Sequence, residues 1–387
     1  MSAVIGDEAL PEEALELGHR FRWLHTGTAA YDAMVAMIDA ARRAVEVEFY
    51  TVESGTPADR LRDALQRALA RGVRVRILLD AFGSSALPFA WDEGLRAAGA
   101  DVRRFNPRRL LRWSFRDHRK LVVCDERVAL IGGYNVTPEF EGDGIHEGWR
   151  DLGLWIEGPL AGDLARGFSA LFESSNLQKA QIRTLARFFR RQQIRPDAAA
   201  AIVGGPGRPQ WLLNRILRAD LKTATRVDVA AAYFLPTRSL RRLLRAVARR
   251  GRVRVLLSEN SDVPVARLAS QHMYHGMLRN GVDLWEYVPQ FMHAKALVVD
   301  DVVYVGSANL DTRSLQLNFE LLVRLPSPLL AAQLRARIDH DCRLARQVAA
   351  DWPGRRTIVQ RLLQRWSYFM LTRVDPFVAR RQFRHLR

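Results

Sequence analysis

The sequence predicts an α/β protein of two duplicated sandwich lobes, with the functional site where the lobes meet. Three observations lead there. The chain contains itself twice, and within each copy apolar β-type runs alternate with segments of helical spacing. At 387 residues it is also too long for one small core, while its 48% hydrophobic content is enough for two.

The two copies match segment by segment. The first runs from Ala40 as AARRAVEVEFYTVESG, then ALARGVRVRILLDAFGS, LRAAGADVRRFNP and FRDHRKLVVCDERVALIGGYNV. The second runs from Leu221 as LKTATRVDVAAAYFLPT, then AVARRGRVRVLLSENS, MLRNGVDLWEYVP and FMHAKALVVDDVVYVGSANL. VEVEFY and VDVAAAYF are rich in β-branched and aromatic residues and read as strands. Pro57 to Arg71 and Thr237 to Arg250 carry helical spacing and stop at Gly72 and Gly251. VRVRILLD and VRVLLSE are again strands, and LVVCDERVALIGG and ALVVDDVVYVGS are strand–turn–strand units. The alternation predicts a largely parallel core sheet in each lobe. The boundaries that follow are an acidic leader at 1–17, a first lobe at 18–178, a basic amphipathic linker at 179–200, a second lobe at 201–352 and a basic amphipathic tail at 353–387.

Lys plus Arg number 59 against 42 Asp plus Glu, a formal charge of +17. That predicts an anionic partner: nucleic acid, an acidic membrane surface or a phosphate-bearing substrate. Two cysteines, Cys124 and Cys342, are too few for a disulfide framework or a Cys-rich zinc site. The acidic N-terminus lacks the pattern of a secretory signal, and no run approaches the ~20 apolar residues of a spanning helix.

Chemistry concentrates in a repeated His-x-Lys-x4-Asp pattern. The first is His118, Lys120 and Asp125, followed by Gly132-Gly133-Tyr134-Asn135; the second is His293, Lys295 and Asp300, followed by Gly306-Ser307-Ala308-Asn309. The chain has only four lysines, and two of them occupy this one slot. His and Lys two apart on a strand share a face. A neutral imidazole can attack phosphorus, and an ammonium can bind a non-bridging phosphate oxygen. Asn135 and Asn309 add amide donors and Ser307 a hydroxyl, all as phosphate ligands. With one histidine per lobe, one can be the nucleophile while the other protonates the leaving alcohol and then deprotonates an acceptor. Such phosphodiester exchange through a phosphohistidine requires neither metal nor cofactor. The sequence does not choose which histidine attacks.

Each imidazole needs its second nitrogen held. Asp151 and Glu320 follow the two motifs at matched distances from Pro159 and Pro328, and are assigned as the His-orienting carboxylates. Asp125 and Asp300 complete the motif set, with a turn-stabilising or supporting role expected of them.

These residues resemble the phospholipase D superfamily, whose hallmark is the paired HxKxxxxD motif. Within it, FRDHRKLVVCDERVALIGGYN, WRDLGLWIEGP and HAKALVVDDVVYVGSANLDTRSLQLNFE resemble bacterial cardiolipin synthases, in the short form without N-terminal transmembrane helices. The resemblance covers roughly residues 18 to 350. It implies lobes of phospholipase D type and transfer of a phosphatidyl group between phospholipids, commonly two phosphatidylglycerols giving cardiolipin and glycerol. It makes His118 and His293 the nucleophile and general acid/base, with Lys120, Lys295, Asn135 and Asn309 on phosphate. It also implies an anionic phospholipid membrane, met peripherally from the cytoplasmic side, rather than nucleic acid. One departure concerns spacing: six residues separate Asp125 from Gly132 and five separate Asp300 from Gly306, which predicts a shortened second turn. The alternatives are hydrolysis of phospholipid or nucleic-acid phosphodiesters, and non-catalytic binding, which would not require two matched His–Lys pairs.

Two segments could reach a bilayer. In 355–373, Val359, Leu362, Trp366, Phe369 and Met370 form a helical stripe beside Arg361 and Arg365. In 182–195, Ile182, Leu185 and Phe189 align similarly. Either stripe could equally pack on a lobe.

Overall fold

The computed structural model describes residues 12–107, 115–192, 194–206, 210–349, 351–352 and 356–378. Among them the chain forms two eight-stranded sheets. The first holds β1 (Glu13–Glu16), β2 (His19–Leu24), β3 (Ala44–Phe49), β4 (Arg74–Asp80), β5 (Asp101–Phe105), β6 (Lys120–Cys124), β7 (Val128–Gly132) and β8 (Gly153–Glu157), in the order β1-β2-β8-β7-β6-β3-β4-β5. The second holds β9 (Ala200–Gly204), β10 (Arg226–Ala231), β11 (Arg252–Ser258), β12 (Val282–Tyr287), β13 (Lys295–Val299), β14 (Val302–Gly306), β15 (Glu320–Pro326) and β16 (Ala345–Gln347), in the order β16-β12-β11-β10-β13-β14-β15-β9.

The sheets are mixed, which corrects the largely parallel expectation. Only β3–β4, β4–β5, β10–β11 and β11–β12 pair in parallel. The motif-bearing strands β6–β7 and β13–β14 are antiparallel because their connections are too short for a crossover. The one-residue difference between the copies is absorbed in these turns. Cys124 pairs with Val128 across three residues, and Val299 with Val302 across two, so the strands beyond stay in matching register.

Helices cover both faces. On the outer face of the first sheet lie α1 (Gly27–Ala40), α2 (Thr56–Ala70) and α3 (Phe89–Ala97), burying Met34, Leu61, Leu65 and Trp91. Between the sheets run α4 (Pro159–Phe172) and α5 (Lys179–Arg191). The outer face of the second sheet is covered by α6 (Gln210–Thr223), α7 (Arg238–Arg250) and α8 (Pro264–Leu278). A long helix, α9 (Pro328–Arg343), joins α4 in the middle layer. Both α4 and α9 begin with proline at the first helical turn, where the missing N–H costs nothing. Their side chains Leu164, Phe168, Leu334 and Ile338 share one apolar cluster with Phe21 of the first sheet and Val323 of the second. A single core therefore spans the lobes and fixes their relation.

Three boundary expectations meet structure here. Residues 13–16 of the leader form β1 and extend the first sheet. The linker is largely α5, whose Leu185 and Phe189 are buried in the shared core with Ile182 packed against it. That stripe is turned inward, because the apolar gap beside α4 and β9 takes it up. The tail contains α10 (Ile358–Phe369), which rests on α8. No helix among the described residues is long and apolar enough to cross a membrane.

Candidate active site

Each motif histidine lies just before a central strand and is stitched to the opposite lobe. His118 N–H donates to the Phe319 carbonyl at 3.0 Å, and Phe319 N–H returns a bond to Arg116 at 2.9 Å. His293 N–H donates to the Arg150 carbonyl at 2.6 Å, and Arg150 N–H returns one to Phe291 at 2.9 Å. The residue after each of those partners is the carboxylate the sequence singles out. His118 Nδ1 meets Glu320 Oε1 at 3.1 Å, and His293 Nδ1 meets Asp151 Oδ2 at 2.6 Å. Each lobe thus orients the other's imidazole through Nδ1, leaving Nε2 of His118 for chemistry and that of His293 beside Lys295.

The lysines fold back on the same segments. Lys120 Nζ donates to the His118 carbonyl at 2.8 Å, and Lys295 Nζ to the His293 carbonyl at 2.5 Å. Lys295 Nζ also lies 2.9 Å and 3.1 Å from the two ring nitrogens of His293. Burial strips these groups of water. It pulls Lys120 down to about 7, helped by the charge of Lys295, and pulls Lys295 down to about 8 against the attraction of Asp151 and Glu320. Burial and then Lys120 lower His118 to about 4, and burial and then Lys295 hold His293 well below its usual value. Burial raises Asp151 to about 7, against the pull of Lys295. Both imidazoles therefore favour the neutral form at pH 7. The lysines are poised to gain from an anion.

The two copies differ in how the carboxylates are held. Ser307 Oγ donates to Glu320 Oε2 at 2.5 Å and accepts the Leu321 N–H at 3.0 Å. Asn318 donates a further bond to Glu320 Oε1 at 3.2 Å. Ser307 thus holds Glu320 with the hydroxyl that the sequence expectation gives to phosphate. The matching residue in the first copy is Gly133, where a Cβ would stand 2.2 Å from Asp151 Oδ1. The shorter carboxylate fills the space that a side chain would take. Gly133→Ala should push Asp151 off His293 and lower kcat by about 10²-fold, the usual cost of an ångström of misplacement. Steady-state kinetics beside a melting curve checks this; a wild-type kcat would show that Asp151 is not needed where it stands.

Asp125 and Asp300 do not reach the reacting groups. Asp125 accepts the N–H groups of Arg42, Arg43 and Ala44 at 2.9, 2.8 and 2.9 Å, and Asp300 those of Thr225 and Arg226 at 3.0 and 2.9 Å. Both sit at the motif turns with positive φ, 57° and 45°. Partial burial opposes the Asp125 charge, but the three donors outweigh it and hold the carboxylate below its usual range. These aspartates tie each motif hairpin to the strand beside it, which removes them from the catalytic set. Asp125→Ala should cost ~1–3 kcal/mol of stability by orphaning backbone donors. Activity per folded molecule should stay within a few-fold in the same assay.

Asn135 and Asn309 are both buried. Asn135 Oδ1 takes the Thr51 N–H at 3.4 Å, leaving its NH2 end for a ligand. Asn309 Oδ1 is buried with no hydrogen-bond partner among the described residues.

Sequence reasoning missed the surrounding aromatics. Tyr50 packs edge-on against His118 at 5.0 Å between ring centroids. Phe140, Trp149 and Phe291 enclose His293 at 5.0, 5.5 and 5.9 Å. They come from loops, a strand end and the short 3-10 turn Pro138–Phe140, with no periodicity to flag them. It also missed a buried cluster under His118 in the first lobe. There Arg119 Nε bonds Glu48 Oε1 at 2.8 Å, Arg119 N–H reaches Asp117 at 3.3 Å, and Asp117 N–H reaches Asp80 at 2.8 Å. The second copy carries Ala230, Ala294 and Met292 in place of Glu48, Arg119 and Asp117, so aligning the repeats by charge could have flagged it.

Comparisons with known proteins bear on the fold and the family. The family described as "Cardiolipin synthase, PLD-like domain" matches residues 34–174 and 212–342, one stretch per lobe. Cardiolipin synthase A of Pseudomonas putida strain W619 is 32% identical over 359 residues, covering 89% of this chain and 73% of that protein. Its counterpart in strain GB-1 is 33% identical over 348 residues, covering 86% and 70%. Among solved structures, phosphatidylserine synthase of Haemophilus influenzae Rd KW20 shares the fold, with a TM-score of 0.72 at 13% identity over 93% of this chain and 94% of that one. The chain belongs to the cardiolipin synthase family of phospholipase D-like phosphatidyltransferases.

Proposed function

We propose that this protein moves a phosphatidyl group from one phosphatidylglycerol to the glycerol headgroup of another, forming cardiolipin and glycerol at a bilayer it meets peripherally from the cytoplasmic side. The observation that carries the reading is the cross-lobe pairing: two neutral imidazoles, each held at Nδ1 by the other lobe's carboxylate, share one site with two buried lysines.

His118 is the proposed nucleophile. Its ring is free of the lysine contact and the aromatic enclosure that His293 has. Lys120 and Lys295 take the non-bridging phosphate oxygens, with Asn135 and Asn309 donating beside them. The anion offsets the two ammonium charges and so raises His293 toward its protonated form. His118 Nε2 attacks phosphorus, the bond to the glycerol oxygen breaks, and that oxygen takes the proton from His293 Nε2. The first glycerol leaves, and the phosphatidyl group stays on His118. A hydroxyl of the second headgroup then gives its proton to His293 as its oxygen attacks phosphorus, and the P–N bond breaks. Asp151 steadies His293 in both protonation states, and Glu320 fixes the His118 tautomer.

The test is incubation of the purified protein with vesicles containing labelled phosphatidylglycerol, resolved by mass spectrometry. Cardiolipin and glycerol in equal amounts are expected; phosphatidic acid alone would mean hydrolysis. The lysines set a pH dependence. An ammonium binds phosphate and a neutral amine does not. With Lys120 at about 7 and Lys295 at about 8 in the free protein, kcat/KM should fall as pH rises through that range. Bound phosphodiester favours the ammonium form, so the same limb in kcat should lie at higher pH. A flat kcat/KM there would remove the lysines from phosphate binding.

A further inference from the structure

Helix α10 is inside out. It turns Gln364 and Ser367, both buried, toward the protein, where Gln364 Nε2 donates to Gln271 on α8 at 3.2 Å. To solvent it presents Ile358, Val359, Leu362, Leu363, Trp366 and Phe369, each 48–74% exposed. A helix whose outer face met only water would carry the reverse pattern.

We propose that this outward face of α10 docks on an anionic phospholipid bilayer. Charge selects that occupant. Arg361 and Arg365 are exposed along the border of the stripe, and Arg373 follows just beyond the helix, in a chain of net charge +17. Against a second copy these arginines would meet their own kind. Against a bilayer they meet lipid phosphates while the apolar stripe enters the acyl boundary. The inward packing of α5 leaves this face to do the work.

The surface also adjoins a groove whose lining includes the loop that follows Asn309. Phe369 and Tyr368 line a groove of about 930 Å³ together with Arg238, Thr312, Arg373 and Phe377. Thr312 lies on the loop that carries Asn309 toward the site, and its neighbour Arg313 bonds Asp375 of the tail at 2.5 Å. A helix seated on the membrane would set this groove against the lipid surface. The proposal rests on phosphatidyl transfer only for the choice of probe lipid.

The test is flotation with vesicles of phosphatidylglycerol and phosphatidylcholine, against phosphatidylcholine alone, for the wild type and for Leu362→Ser with Trp366→Ser. The wild type should float with the anionic vesicles, less so as salt rises. The double variant, changed only at exposed positions, should keep its melting temperature and bind at least ~10-fold less. It should lose turnover on vesicles yet retain turnover of short-chain phosphatidylglycerol dissolved as monomers. Equal flotation of variant and wild type would overturn the proposal. So would sedimentation showing a wild-type dimer that the variant splits while vesicle binding is unchanged. A wild type that floats through this face but turns over neither substrate would uphold docking and sink the transfer reading instead.

Discussion

Replacing either His118 or His293 with alanine should abolish cardiolipin formation, and the double replacement should be no worse than either single one. Each loss should reach ~10³-fold or more, because groups that act as a unit are not additive. The reason is geometric. Each ring is held by a carboxylate from the other lobe, and among the described residues no other imidazole pairs with either carboxylate. A substrate with a nitrophenyl leaving group separates the two roles, since nitrophenolate departs without a proton. With it, His293→Ala should release a burst of about one equivalent and leave a labelled phosphatidyl group on the protein, stable to base and labile to acid. His118→Ala should give neither burst nor label. The opposite pattern would exchange the two assignments and keep the rest of the scheme. Bursts from both variants would end the phosphohistidine proposal.

Arg150→Met should produce the largest loss of stability of any single substitution near the site, ~3–5 kcal/mol. Arg150 is buried, and its guanidinium pairs with Asp341 of α9 at 2.8 Å from Nη2 and 3.3 Å from Nε. Nη1 reaches the carbonyls of His25 and Asp143 at 2.9 and 3.1 Å. Removing it leaves two carbonyls unpaired and the buried Asp341 carboxylate with only Arg337 and His340, each at 3.4 Å, at the seam where the first lobe meets the second. Activity should fall as well, because the Arg150 carbonyl receives the His293 N–H and the next residue is Asp151. Urea unfolding measures the cost. Adding Asp341→Leu should restore part of the stability, since it removes the carboxylate that lost its bidentate partner, though at the cost of the longer Arg337 pair, and should not restore turnover. If the double variant were less stable than Arg150→Met, the ion pair would not be the source of the loss.

Much of this was legible in the chain. The duplication, the strands around each motif and the helices ending at Gly72 and Gly251 are local patterns of apolar spacing and turn chemistry, which are written in consecutive residues. The two histidines and two lysines stood out because lysine is so scarce. Asp151 and Glu320 were reachable because the repeat offers a second copy against which to count. Strand direction was not legible, because the periodicity of a buried strand is the same whether its neighbour runs with it or against it. Only the length of the connection distinguishes the two, and the hairpins after each motif are short.

Sequence alone determined which residues could do phosphoryl chemistry, and that they come as two matched sets. Tertiary structure decided what each does within the set. It drew Ser307 onto Glu320 and kept Gly133 bare beside Asp151, because the carboxylates differ by one methylene and the space around them must differ to match. It placed Asp125 and Asp300 on backbone amides of the neighbouring strand, a contact between segments some eighty residues apart in sequence. It turned the stripe of α5 into the core and that of α10 outward, although the two read alike as amphipathic patterns. The pattern of a helix records that one face is apolar. What that face meets depends on which surfaces the rest of the fold leaves uncovered.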